Sequence, residues 1–315
     1  MSALTLEIVE SWELRPGDVK ELCDLETQMS YPIADGADHF TIDHGEYYHE
    51  FFSEMGETRL LLVKDRGRIQ GVMVGVWREI LLGSTRVRAL YLADLKLAPR
   101  LRGQNIVLRM LWHGIKALFR RADLGSWHVV YGAAMRGESG DVMRSMQGAL
   151  HPARWLDHEA LFYLYFASKQ ELEGLSLEGS PPLSSPDELA ANFSPERRAP
   201  WFTTRGTKSF VLASTGAPWQ LVHLDEVSQP ASEGAARTLG EALQRGVARM
   251  QDAGEVACFA LEKGRERQIR WLQERGIQPG ATCTLYAMQV RNAWMRPEQP
   301  PLRELHTTYL STSTI

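Results

Sequence analysis

The sequence has few cysteines, no long hydrophobic run and no strong charge of one sign. Its three cysteines, Cys23, Cys258 and Cys283, are odd in number and far apart, which argues against a disulfide framework and favours a reducing compartment. No run approaches the roughly 20 apolar residues of a membrane span, and the acidic groups between Met1 and Glu13 do not fit a signal peptide. We therefore expect a cytoplasmic protein with no membrane partner.

What the sequence does have is the composition of a globular protein. Of its 315 residues, 44% are hydrophobic and 23% are charged, and the formal net charge of -4 gives no indication of a nucleic-acid partner. The length favours two compact units over a single large domain. Because Gly, Ser and Pro cluster between Gly174 and Ala199, we expect a first domain over residues 1–170, a linker over 171–200 and a second domain over 201–315.

Hydrophobic periodicity in the first half predicts an α/β order with three successive antiparallel strands. The tripeptide Asp65-Arg66-Gly67 supplies the turn of the first hairpin among them. The predicted strands are Leu4–Val9, Arg59–Lys64, Gly71–Ile80, Val87–Leu97, Trp127–Ala134 and Ala160–Phe166, and the predicted helices are Pro16–Met29, Glu46–Met55, Ile106–Ala122 and a segment around Asp141–Met146.

A glycine loop, Arg100-Leu101-Arg102-Gly103-Gln104-Asn105, connects the third antiparallel strand to the long helix. Backbone amides at a helix start lack intrahelical partners and lie at the positive end of the dipole, so a diphosphate can satisfy several together. Gly103 permits its close approach, and Arg100 and Arg102 add positive charge. The loop alone would fit an ordinary connection with exposed arginines equally well. Its place between a hairpin and an amphipathic helix favours the phosphate site.

The segment from Asp94 to Ile106 resembles the GNAT N-acetyltransferase family. Its strand ends in two alternate apolar residues, followed by proline and an Arg/Gln-x-x-Gly-x-Gly/Ala loop, with Asn105 where the family has glycine or alanine. In element order the resemblance extends over about residues 4 to 166. It implies an α/β mixed sheet with acetyl-CoA as co-substrate. The implied coenzyme-binding residues are Leu95, Lys96, Leu97, Arg100, Arg102, Gly103, Gln104, Asn105 and Ile106.

The second half repeats part of this pattern. Its predicted strands are Phe210–Ser214, Trp219–Asp225, Val256–Leu261 and Thr282–Val290, and its predicted helices are Ala235–Ala253 and Glu266–Arg275. The connection from Val227 to Gly234 lacks the loop pattern, carries Glu233 in the phosphate region and loses a donor amide at Pro230. The resemblance therefore implies two GNAT-like lobes, the second degenerate and binding no coenzyme.

The residues for catalysis are less evident than the loop. Acetyl transfer to an amine needs a proton acceptor, a donor that polarises the carbonyl and an acid for the leaving thiolate. The resemblance implies a backbone amide between Leu95 and Leu97 as the polarising donor. In the family the acid is usually a tyrosine four residues before a glycine. Counting back from Gly148, that position holds Arg144 in this sequence, so Tyr131 on the neighbouring strand is the candidate substitute.

Asp94 is the second catalytic candidate, able to receive a proton or attract a cationic substrate. The alternative, a carboxylate that fixes neighbouring backbone amides, stays open. Strict side-chain alternation along this strand predicts one face with Tyr91, Ala93 and Leu95 and an opposite face with Leu92, Asp94 and Lys96.

The histidines His39, His44 and His49 recur every five residues, which matches neither the i,i+4 metal pair nor a zinc finger. We therefore expect solvated or partly buried side chains and no metal site. An aromatic stretch from Tyr47 to Phe52 overlaps these histidines. The resemblance implies that the helix containing this stretch lines the acceptor site.

These features together predict an acetyl-CoA-dependent N-acetyltransferase that acts on a small amine by direct transfer in a ternary complex. Because the usual tyrosine is absent, a non-catalytic acyl-CoA sensor or scaffold is the alternative. Transfer of a longer acyl or aminoacyl group is a third hypothesis. The expected partner is a small-molecule amine, and a homodimer is left open.

Overall fold

The fold is described from a computed structural model. It describes residues 4–33, 36–83, 85–120, 127–135, 156–183, 192–195, 202–203, 208–228, 236–251 and 254–289, together with positions 302, 307–308, 310 and 312. In the part of the chain so described, no helix is both long enough and apolar enough to span a bilayer.

Fifteen strands of the described residues form one mixed sheet. They are β1 Leu4–Glu10, β2 Tyr31–Ile33, β3 Asp38–Asp43, β4 Glu57–Asp65, β5 Arg68–Leu82, β6 Thr85–Leu97, β7 Val129–Met135, β8 His158–Ser168, β9 Asn192–Pro195, β10 Phe202–Thr203, β11 Ser209–Leu212, β12 Pro218–His223, β13 Glu255–Glu262, β14 Ala281–Gln289 and β15 Thr307–Thr308. The main path runs β1-β4-β5-β6-β7-β14-β8-β13-β12-β11-β3-β2.

The α-helices of the described residues flank this sheet. They are α1 Pro16–Glu26, α2 Tyr48–Ser53, α3 Ile106–Arg120, α4 Lys169–Glu173, α5 Asp225–Ser228, α6 Leu239–Val247 and α7 Glu266–Gln273. One apolar cluster packs α1 and α2 on one face of β4, β5 and β6. A second joins β6 to α3 on the opposite face, and a third packs α6 and α7 in the second half. The expected α/β mixed sheet is confirmed.

Among the described residues the predicted order of elements is observed in both halves, and the short elements β2, β3, β9, β10, β15, α4 and α5 were not predicted. The short hairpin β2–β3 was missed because it is brief and contains Pro32. Strand β9 lies inside the predicted linker and pairs with β5. The helix expected around Asp141–Met146 lies outside the described residues.

The last strands of the two halves are exchanged. From the first half, β8 pairs with β13, whereas β14 from the second half pairs with β7, and β8 and β14 pair with each other. As a result, Cys283, Leu285 and Ala287 of β14 lie in the core of the first half. The domain boundaries stay a prediction, since one sheet runs through both halves.

Each half contains a parallel pair next to this exchange, β6 with β7 and β12 with β13. The first pair ends at Leu92 and Gly132, beyond which β6 pairs only with β5 and β7 only with β14. Beyond this point no pairing joins the two strands among the described residues, and we call the place where they part the cleft. A Cβ atom on Gly132 would lie 2.9 Å from the carbonyl oxygen of Leu92, so the close approach before the parting requires glycine.

Substitution of Gly132 should destabilise the protein at the mouth of the cleft. Gly132→Ala is expected to lower the free energy of unfolding by about 1–3 kcal/mol, because the new methyl group meets backbone that cannot move aside cheaply. The control is Gly114→Ala in α3, where nothing lies within 4 Å and helix propensity favours alanine by about 0.5–1 kcal/mol. Urea unfolding measures both. Equal stability of Gly132→Ala and the wild type would contradict the close approach.

Candidate functional site

The glycine loop follows β6 through a short 3-10 turn, Pro99–Leu101, and leads into α3 at Ile106. Gly103 has φ +75° and Asn105 has φ +57°, a left-handed conformation that asparagine tolerates better than most residues. The side-chain amide of Gln104 donates a 2.7 Å hydrogen bond from Nε2 to the Arg100 carbonyl and closes the loop. Nothing lies within 4 Å of a Cβ placed on Gly103, so its surface is open.

The start of α3 has backbone amides available for an anion. The first helical hydrogen bond runs from the Arg109 amide to the Asn105 carbonyl, at 3.1 Å. No group among the residues that the structure describes accepts a hydrogen bond from the amides of Ile106, Val107 or Leu108. Such amides at the positive end of a helix dipole suit a diphosphate, so the loop fits the phosphates of a coenzyme.

The two arginines of the loop differ in their electrostatic partners. Arg100 donates to Asp65 at 2.8 Å and to Gln70 at 3.1 Å, so its charge is already balanced by a carboxylate. Arg102 contacts the sulfur of Met29 at 3.2 Å and makes no ion pair within the described residues. The net positive charge beside the loop therefore comes from Arg102.

A β-bulge interrupts β6 just before the loop. Ala93 pairs with Val74 and Lys96 with Val72, so β6 carries one extra residue here, and Asp94 has φ +50°. The strict alternation predicted for this strand is therefore wrong beyond Ala93. Tyr91 and Ala93 face α1 and α2, and after the bulge Lys96 faces that side too, whereas Leu95 and Leu97 pack towards α3.

The bulge lies at the cleft where β6 and β7 part. The extra residue of a bulge is left out of the hydrogen-bonded ladder, which makes backbone groups at Asp94 and Leu95 available to a ligand. This is where the resemblance implies the amide that polarises a thioester carbonyl. The side chains of Lys96 and Leu97 point into the protein, so any coenzyme contact of theirs is through the backbone.

Lys96 belongs to a buried polar cluster, which we call the Lys96 cluster. Its members are Glu26, His44, Tyr48, Asp94 and Lys96. The Lys96 ammonium contacts Glu26 Oε1 and Asp94 Oδ1, each at 2.5 Å. His44 donates from Nδ1 to Glu26 Oε1 at 2.6 Å, and its backbone amide donates to Glu26 Oε2 at 3.1 Å. The Tyr48 hydroxyl donates to Asp94 Oδ2. Asp94, with 9% of its side chain exposed, is the member nearest solvent.

Ion pairing and burial set the charges of this cluster. Burial alone would raise the pKa of Glu26, but interactions with His44 and Lys96 outweigh it and lower the pKa to about 2. Burial opposes the charge on Lys96, yet Asp94 and Glu26 raise its pKa above the ordinary value. Burial lowers the pKa of His44 and raises that of Tyr48 well above its usual range. Glu26 is therefore an ionised carboxylate and Lys96 an ammonium, whereas His44 and Tyr48 are neutral rings.

Tyr131, the predicted acid, lies in the core. Its ring stacks on Tyr91 with centroids 4.9 Å apart, one register step before the strands part. Burial raises its pKa, opposed by an interaction with Arg78. The structure thus places Asp94 at the cleft, within the Lys96 cluster, and Tyr131 behind the cleft. The catalytic roles of both residues stay predictions.

The second lobe differs at the equivalent helix start, because the chain's own linker caps α6. The Leu239 amide donates to the Pro181 carbonyl at 3.0 Å, and the Gly240 amide donates to Ser180 Oγ at 2.7 Å. The Glu241 amide is capped by Thr238 Oγ1 at 3.3 Å. These three amides correspond to the open ones of α3. Glu233 and Pro230, on which the expectation of a degenerate lobe rested, lie outside the described residues.

The polar groups that sequence reasoning missed are Glu26 and the buried lysine Lys208, whereas Tyr48 was noted only as a member of the aromatic stretch. Glu26 follows Leu22 and Leu25 on the apolar face of α1, and an acid there is a signal of a buried partner. His44 is 3% exposed, more buried than expected. Lys208 had no recognisable signal, since its burial depends on elements far away in sequence.

Glu26→Gln tests whether the Lys96 cluster stabilises the fold through charge. At neutral pH the variant should lose about 1.5–3 kcal/mol of unfolding free energy, since Lys96 and His44 lose a charged acceptor. The pKa of Glu26 is depressed from 4.5 to about 2, so its contribution is present above pH 4.5 and is lost as pH falls towards 2. Urea titrations across this window should show the difference from wild type shrinking.

The control for this series is Glu173→Gln, an exposed carboxylate in α4, which should match the wild type throughout. A Glu26→Gln deficit that stays constant below pH 4.5 would contradict the ionised, paired carboxylate.

Comparisons with known proteins concern the fold. No protein-family model and no curated protein matches the sequence. Among solved structures, Saccharomyces cerevisiae N-myristoyltransferase with bound myristoyl-CoA aligns over 97% of this chain and 84% of its own, at 10% identity and TM-score 0.49. A tandem GNAT protein from the clavulanic acid biosynthesis pathway aligns over 92% and 100%, at 12% identity and TM-score 0.45.

A GCN5-related N-acetyltransferase from Sphaerobacter thermophilus aligns over 91% of this chain and 96% of its own, at 11% identity and TM-score 0.43. These similarities are weak. The arrangement of two GNAT-like lobes rests on this chain's own features: the strand order, the parallel pairs, the bulge in β6 and the loop that begins α3.

Proposed function

We propose that this protein is an acetyl-CoA-dependent N-acetyltransferase that acts on a small amine by direct transfer in a ternary complex. The observation that carries the proposal is the cleft where β6 and β7 part, with the bulge at Asp94 on one side and the open start of α3 at its end. The loop before α3 can bind phosphates, and the backbone of the bulge, a few residues earlier in the chain, lies outside the sheet ladder. A thioester that carries phosphates needs both kinds of group.

Each part of the cleft has a role in this proposal. The amides from Gly103 to Leu108, with Arg102 beside them, hold the diphosphate. A bound coenzyme supplies an activated acyl thioester. The backbone amide at Leu95 polarises the thioester carbonyl, because the bulge leaves that amide outside the ladder. The carboxylate of Asp94, fixed by Lys96 and Tyr48, attracts the ammonium form of the acceptor.

A non-catalytic acyl-CoA sensor is the second candidate. It is favoured by the position of Tyr131, whose ring is stacked in the core behind the cleft. In a sensor the loop would bind coenzyme as proposed, but no amine would be acylated. Thioester consumption therefore separates the two functions.

The coenzyme site is tested by thermal unfolding and by thioester consumption with acetyl-CoA across an amine library. Acetyl-CoA at ten times its dissociation constant should raise the free energy of unfolding by about 1.4 kcal/mol. Gly103→Glu should abolish this shift and the thioester consumption, because a carboxylate would occupy the open surface of the loop.

The matched control is Gly216→Glu in the turn between β11 and β12, which also has positive φ and open surroundings. It should suffer the same backbone strain and keep the coenzyme shift. Normal binding by Gly103→Glu would place the site elsewhere. Binding without acylation of any amine would favour the sensor.

The stoichiometry should be one coenzyme per chain. The open amides of α3 can receive a diphosphate, whereas those of α6 already bond to Pro181, Ser180 and Thr238. Calorimetric titration with acetyl-CoA measures the number of sites. A stoichiometry near two, with one event surviving Gly103→Glu, would contradict the capping of α6.

A further inference from the structure

The outer face of α3 carries an apolar strip that is exposed to solvent. Leu108 is 37% exposed and Trp112 is 57% exposed, whereas Ile106 and Met110 of the same helix are buried against the sheet. Leu108 and Trp112 are four residues apart, so their side chains are neighbours on one face of the helix. Exposed apolar side chains that lie together can mark a contact site, and the chemistry around this strip decides what it suits.

The same face is basic. Arg109, Lys116 and Arg120 are exposed, and α3 contains no Asp or Glu, although the whole chain has a formal net charge of -4. Within the described residues, none of these three cations makes an ion pair. The Nζ atom of Lys116 lies over the Trp112 ring, 5.4 Å from its centroid. The face therefore combines uncompensated positive charge with an aromatic ring, which suits an anionic ligand that carries a flat base.

This face adjoins the open amides at the start of α3. The last of those amides belongs to Leu108, the first residue of the strip. An α-helix rises 1.5 Å per residue, so the Cα atom of Trp112 lies only about 6 Å further along the axis. Side chains on a helix lean towards its N-terminus, so the Trp112 ring covers the turn that contains Leu108. A nucleotide whose phosphates occupy the helix start is long enough to reach this ring.

The two ends of a coenzyme bound as proposed lie in different places. The thioester end enters the cleft towards the bulge at Asp94. The nucleotide end, which carries an adenine base and a ribose phosphate, is left outside the cleft at the surface of α3. Its base is flat and apolar on both faces and its phosphate is anionic, so it matches both the ring and the charge of the outer face.

We propose that the outer face of α3 binds the nucleotide end of the coenzyme; this inference rests on the coenzyme site of the proposed function. Lys116 covers one side of the Trp112 ring, and the adenine base stacks on the other side. Arg109 and Lys116 attract the phosphate on the ribose, and Leu108 contacts the nucleotide where it leaves the diphosphate. The protein thereby distinguishes the complete coenzyme from a shorter pantetheine thioester.

A second copy of this chain is the other occupant that an exposed apolar strip could take. In a symmetric contact the face would meet its own copy, so the uncompensated cations of both would lie opposite each other. Like charges across an interface are repulsive, whereas a phosphorylated nucleotide is attracted. Charge therefore favours the nucleotide.

The test compares acetyl-CoA with its two halves by calorimetric titration. One half, 3′-phospho-ADP, has the nucleotide and the diphosphate, and the other, S-acetyl-4′-phosphopantetheine, has the thioester without the nucleotide. Trp112→Ala should weaken the binding of acetyl-CoA and of 3′-phospho-ADP by about 5-fold to 150-fold, because the base loses its stacking partner. It should leave the dissociation constant of S-acetyl-4′-phosphopantetheine unchanged. Trp112→Phe keeps an aromatic ring and should recover most of the lost affinity.

The matched control is Trp12→Ala, which removes a tryptophan that is 72% exposed in the 3-10 turn after β1. It should bind all three ligands as the wild type does. Lys116→Met should weaken the binding of 3′-phospho-ADP by about 2-fold to 5-fold, and less at high salt, since an exposed charge pair is weak and screened.

Each contrary result has its own meaning. If Trp112→Ala binds 3′-phospho-ADP as the wild type does, the inference is overturned and the proposed function stands. An equal loss of affinity for both halves also overturns it, because the damage is then not at the nucleotide. Sedimentation that changes in Trp112→Ala while its affinities do not would assign the face to a contact between copies.

Failure of the proposed function looks different. A wild-type protein that binds acetyl-CoA but acylates no amine loses the N-acetyltransferase function and keeps the nucleotide site. A wild-type protein that binds neither acetyl-CoA nor 3′-phospho-ADP loses both.

Discussion

The rest of the site depends on the two ion pairs that the Lys96 ammonium makes. It bridges Glu26 on α1 and Asp94 on the bulge of β6, each at 2.5 Å, with no more than 9% of any of the three side chains exposed. A non-glycine residue with positive φ costs of the order of 1–3 kcal/mol and persists only where its surroundings hold it. Lys96 and the Tyr48 hydroxyl supply that constraint at Asp94. These contacts thereby fix α1 relative to the bulge of β6, next to the point where β6 and β7 part.

The exchange of β8 and β14 has a comparable effect at the scale of the whole chain. Each lobe completes its core with a strand from the other half, so the lobes cannot move as independent bodies without breaking the sheet. The hairpin β2–β3 adds a second connection, since it belongs to the first half in sequence and extends the edge of the second lobe. The joined lobes bury Lys208 of the second half against α2 of the first, with Nζ 4.8 Å from the ring centroid of Phe51.

The two lobes also illustrate how one architecture diverges through small local changes. Both place a helix after the first strand of a parallel pair, which creates a set of amides without intrahelical acceptors. At α3 these amides stay open beside Gly103, whereas at α6 Ser180 and Pro181 of the connecting segment satisfy two of them. At the start of α6 the chain's own groups thus bond to amides that an anion could otherwise reach.

Local features of the sequence determined much of this protein. The Asp65-Arg66-Gly67 turn is a hairpin with positive φ at Arg66 and Gly67, and the glycine loop begins α3 where the apolar spacing predicted. Only the tertiary structure decided the Lys96 cluster, whose salt bridge joins residues 70 positions apart. It also decided the bulge at Asp94, the strand exchange and the burial of Lys208. Turn chemistry and helix periodicity act over a few residues and are readable from sequence, whereas ion pairing, register and burial depend on which distant segments the folded chain brings together.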